Sequence, residues 1–70
     1  MDLVLLSERI KESGITMTAL SEKSSISRET LYNRLAGKGE FKASEIVSLT
    51  NALRLSRTER DQIFFNDEGE

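Results

Sequence analysis

Apolar residues recur at helical intervals in five stretches of this chain. In the first, from about Asp2 to Ser13, Leu3, Leu6 and Ile10 fall at i, i+3 and i+7 with Val4 and Leu5 beside them, while Glu8, Arg9, Lys11 and Glu12 take the opposite side. Gly14 then supplies the left-handed residue that ends a helix. A short second helix is predicted from Thr16, a good N-cap, through Lys23, burying Leu20 together with Met17 or Ala19. Ser24-Ser25 ends it, Ile26 is an apolar plug in the turn, and Ser27 caps a third helix. In that helix Leu31 and Leu35 stand four apart and point inward, and Gly37 closes it.

Beyond Gly37, Lys38-Gly39-Glu40 reads as a polar loop, with Phe41 as the apolar anchor that holds it to the core. A fourth helix from about Ala43 to Leu53 carries Ile46, Leu49 and Leu53 on one face. Ser56-Arg57-Thr58-Glu59 matches the S-x-x-E capping box and opens a fifth helix that runs to about Phe65. Asn66 to Glu70 are polar and acidic without apolar period, so a frayed end is expected there. The expectation is an all-α, compact five-helix domain spanning residues 1–70, with no internal repeat, no linker and no proline to break its helices.

Composition narrows the function classes. With 37% hydrophobic and 31% charged residues the chain has the balance of a soluble globular protein. Its longest apolar run, Leu3 to Leu6, is far below the ~20 residues needed to span a bilayer, and no signal-peptide pattern is present, so a cytoplasmic protein is expected. There is no cysteine and no histidine, which removes thiol nucleophiles, the usual zinc ligands and the commonest general base. No metal, no cofactor and no enzymatic activity are expected. Glu8, Glu12 and Glu45 read as carboxylates on solvated helix faces rather than as parts of a pocket.

The stretch from Thr16 to Gly37, TMTALSEKSSISRETLYNRLAG, has the parts of a helix-turn-helix. Such a motif needs a small residue where two helices cross, here Ser21, a tight turn with an apolar plug, and a second helix with a polar outer face. The segment resembles the Cro and lambda-repressor-like (XRE-type) helix-turn-helix family, whose typical run is close to TQEELAEKLGISRSTISRIENG. Thr16, Leu20, Glu22, Lys23, Ile26, Ser27, Arg28, Thr30 and Gly37 match it. Ser25 stands where the family usually has glycine, Ser21 where it has alanine, and Arg34 where it has an apolar residue. Leu-Tyr-Asn, the Gly-Lys turn and the closing Ile-Phe-Phe are similar to short regulators of Gram-positive bacteria and their phages.

The resemblance implies a lambda-repressor-like fold, double-stranded DNA as partner, and the third helix as the one that reads base edges. Arg28, Glu29, Tyr32 and Asn33 would then face the bases, and Thr16, Thr18, Arg34, Lys38 and Lys42 the phosphates. Phe64-Phe65 reads as one core and one edge residue, with a homodimer or partner contact as the alternative. Charge points two ways. The chain carries a net −2, yet Lys23 to Lys42 holds five basic residues against Glu29 and Glu40 alone. An acidic total keeps a second reading open: a modulator, or antirepressor, that binds a partner repressor and alters its grip on DNA.

Overall fold

Helices need acceptors for the free amides of their first turn, and four of the helices here begin at a side chain that provides one. Asp2, Thr16, Ser27 and Ser56 accept from the backbone N–H of Leu5, Ala19, Thr30 and Glu59 at 2.9, 3.0, 3.1 and 3.0 Å. A computed structural model describes residues 1–65 and gives five helices among them: α1 Leu3–Ser13, α2 Met17–Ser24, α3 Arg28–Leu35, α4 Ala43–Leu53 and α5 Arg57–Phe64. The acidic segment at residues 66–70, expected to fray, lies outside the described residues.

The boundaries shift from expectation by one or two residues. Asp2 is the cap of α1 rather than its first residue, α2 continues through Ser24, and α3 stops at Leu35 with Ala36 as its C-cap. At α4 the cap position falls on Lys42, which has no acceptor; the Glu45 carboxylate reaches back instead and accepts from the Lys42 amide at 2.8 Å. Three helices end in left-handed residues: Gly14 at φ 74°, Ser25 at φ 61° and Arg54 at φ 55°.

Leu6, Leu20, Leu31, Leu49 and Ile63 are withdrawn almost completely from solvent and draw all five helices onto one core. α4 packs across α1 and α2, α2 against α3, and α1 against α5. Phe41 is the anchor expected of it: its ring meets Phe64 edge to face, with centroids 5.7 Å apart. The Asp2 amide donates to the Ile63 carbonyl at 2.7 Å, tying the start of α1 to the end of α5. Two expected core positions are less buried. Leu35 and Leu53 are only half-buried, and Val4 is 70% exposed on the outer side of α1. No helix among the described residues is long and apolar enough to cross a membrane.

Leu20→Ala should cost about 2–5 kcal/mol, most of the stability of so small a domain, whereas Val4→Ala should stay within about 0.5 kcal/mol; urea unfolding followed by circular dichroism separates them. Ser25→Gly should do the opposite. A serine in the left-handed region costs roughly 1–2 kcal/mol, and glycine's added unfolded-state entropy offsets only part of that. The same titration should show a gain of up to about 1 kcal/mol, and a loss for Ser25→Val.

Candidate nucleic-acid interface

The turn between α2 and α3 is held by serines, each doing a different thing. The Ser24 side chain is buried and its hydroxyl accepts from the Ile26 amide at 3.3 Å. Ser25 supplies the left-handed step that reverses the chain. Ser27 accepts from the Thr30 amide and donates to the Thr30 hydroxyl at 2.9 Å, which fixes the first turn of α3. Ile26, buried between them, fills the turn from the core side. Ser21, expected at the helix crossing, is half-buried; Ser24 is the serine that the core takes in.

With Leu31 pointing inward, α3 has little choice about its outer face. Arg28, Glu29, Tyr32 and Asn33 lie at i, i+1, i+4 and i+5, an arc of roughly 140° on a helix, and all four are exposed, Tyr32 to 50%. The four residues expected to face bases are therefore brought together. Thr16 and Thr18 are exposed at the start of α2, and Thr16 also caps that helix. Lys38 and Lys42 are exposed on the α3–α4 loop and at its junction with α4.

Beside the start of α3 opens a polar cleft of about 400 Å³, whose lining includes Ser27, Thr30, Lys42, Ser44, Ser48 and the carboxylate-bearing Glu45. It brings Lys42 next to the motif, which sequence spacing alone did not join. Ser44 and Ser48, four apart on α4, were not singled out from the sequence; their shared spacing on a helix that follows a basic loop was the available signal.

Arg34 is placed unlike the other phosphate candidates. Its side chain is 19% exposed, and its Nε lies 3.5 Å from Oε1 of Glu45, whose own side chain is 14% exposed. Glu45 is thus no solvated surface carboxylate, as its position had implied: it is withdrawn between α3 and α4, facing a cation. Round the helix axis Arg34 lies about 60° to one side of Leu31 and Leu35 about 40° to the other; Arg34 is half-buried, as is Leu35, which packs against the core. Phe64 belongs to the core, while Phe65 is 57% exposed with the Arg60 guanidinium 5.6 Å from its ring centre.

A family model described as helix-turn-helix matches residues 6–60, from the buried Leu6 of α1 into α5. No curated protein and no solved structure gives a match. The match takes in the serine-held turn, the outward face of α3 and most of the helices around them. The chain belongs to the XRE-type helix-turn-helix family and is a DNA-binding regulator with the all-helical, lambda-repressor-like fold.

Proposed function

We propose that residues 1–70 act as one domain, a sequence-specific transcription regulator of the Cro and repressor type from a bacterium or phage, working in the cytoplasm with α3 laid in the major groove of double-stranded DNA. The observation that carries this reading is the common exposure of Arg28, Glu29, Tyr32 and Asn33 on the face of α3 opposite Leu31. Arg28 has the fork geometry for guanine, Asn33 the paired donor and acceptor for adenine, and Glu29 an acceptor for the cytosine amine; Tyr32 offers a ring edge and a hydroxyl. Thr16, Thr18, Lys38 and Lys42 contact phosphates, and Arg34 reaches the backbone only by leaving Glu45.

Charge sets the affinity regime. The basic residues cluster between Lys23 and Lys42 in a chain of net charge −2, so few phosphates are neutralised and one half-site is held weakly. A homodimer reading two half-sites about 34 Å apart would multiply that grip. The acidic total and the exposed Phe65 favour a second mode as well, in which the chain pairs with a partner repressor and changes its DNA contact.

Fluorescence anisotropy on the chain's own promoter region and on a scrambled duplex, over a salt series, tests the reading. Arg28→Ala and Asn33→Ala should each weaken the selective complex by ~1–3 kcal/mol, roughly 5- to 150-fold, with a smaller loss on scrambled DNA for Arg28→Ala, which removes a charge, and none for Asn33→Ala. Lys38→Ala and Lys42→Ala should weaken both complexes alike and each lower the salt slope by about 1. Selective binding that is absent from the chain alone, with an altered complex when a neighbouring repressor is added, would replace the first mode by the second.

A further inference from the structure

We infer that Arg34 and Glu45 are a positioning pair for DNA recognition, locking the base-reading helix to the loop that carries Lys38 and Lys42; the inference rests on the DNA-binding reading above. Arg34 sits in the last turn of α3, and its Nε faces Glu45 Oε1 at 3.5 Å. That same oxygen accepts the Lys42 amide at 2.8 Å and so holds the residue at which α4 begins. On the other side the guanidinium lies under the loop. A Cβ on Gly39, at φ +85°, would stand 2.8 Å from Arg34 Nη1, so the chain passes close over the end of the arginine, at a backbone angle that favours glycine. Recognition helix, loop and α4 start therefore converge on one cation and one anion.

Stability alone does not call for charges there. A half-buried ion pair is commonly matched or exceeded by apolar residues of similar size, because desolvation offsets the attraction. No side-chain hydrogen bond satisfies Arg34 Nε, so the pair contributes less than an ideal fork-to-fork contact would. What the pair does supply is register: moving α3 by a fraction of a turn separates the charges, whereas an apolar contact would slide. Lys38 is tied into the same unit, its amide donating to the Asn33 carbonyl of α3 at 2.8 Å. Bases and phosphates are thus gripped from one rigid block, and an error in either displaces the other.

The test uses the full chain, a duplex that it selects from a random-sequence pool, and the variants Arg34→Met, Glu45→Gln, Glu45→Met and the double Arg34→Met with Glu45→Met. Circular dichroism melts report the fold, and the double variant keeps the side-chain volume. The expected result is a loss on the order of tenfold in affinity for the selected duplex in each single variant, with no further loss in the double, as a coupled pair requires. Affinity for scrambled DNA should change less. In the free protein, hydrogen exchange of the Lys42 and Lys38 amides should quicken in the Arg34→Met variant while α1 amides keep their rates. Equal losses on both duplexes in Arg34→Met with none in Glu45→Gln would make Arg34 a phosphate ligand and overturn the pair. Unchanged exchange at Lys38 and Lys42 would overturn it whatever the DNA result, and failure of the wild-type chain to select any duplex would instead remove the DNA reading.

Discussion

Leu31 lies almost fully out of solvent on a helix only eight residues long, and the contact it makes with the core decides how that helix is turned. A helix of two turns has little stability of its own in water, since nucleation costs more than so few hydrogen bonds return. α3 exists because Ser27 caps it, Ile26 seats the turn before it, and Leu31 pins its middle. With that pin in place and Arg34 held against Glu45, the rigid 3.6-residue period determines the rest of the element. Arg28, Glu29, Tyr32 and Asn33 are outward because Leu31 is inward.

Much of this was legible in the chain. Periodicity located Leu6, Ile10, Leu20, Ile46 and Leu49, and the hydroxyl side chains of Thr16, Ser27 and Ser56 marked three helix starts, because each signal reports a local physical need that tertiary structure leaves in force. What escaped was that both flanks of the inward direction are used. From Leu31 the positions three and four ahead lie on either side of it; Leu35 packs half-buried against the core as expected, and Arg34 is drawn in as well because Glu45 faces it from α4. Glu45 in turn was unreadable from the pattern that identified Ser56 and Glu59. A capping box is recognised by its hydroxyl, and at α4 the hydroxyl position holds Lys42, so only the glutamate half operates. The base-facing residues could be named from the sequence; the support beneath them depended on a partner eleven residues away, which no local rule supplies.

Net positive charge is concentrated at the motif. The cations from Lys23 to Lys42 surround it, while on α1 Glu8 and Glu12 are balanced by Arg9 and Lys11, and on α5 Glu59 and Asp61 by Arg57 and Arg60. A polyanion therefore meets net attraction at the motif and near-neutral helices at α1 and α5, and the net charge of the whole chain conceals a local bias of approach.

The bond from the Asp2 amide to the Ile63 carbonyl has a further meaning for how the protein comes apart. It joins elements more than fifty residues apart in sequence, and with the contact between Arg9 and Glu59 it makes α1 and α5 a clasp around α2 to α4. When α5 lifts, α1 loses that partner and keeps its packing on α4. The ends of the described fold are thus tied to each other, while the DNA-facing hairpin of α2 and α3 is held separately, through α4, so opening at the ends need not disturb it.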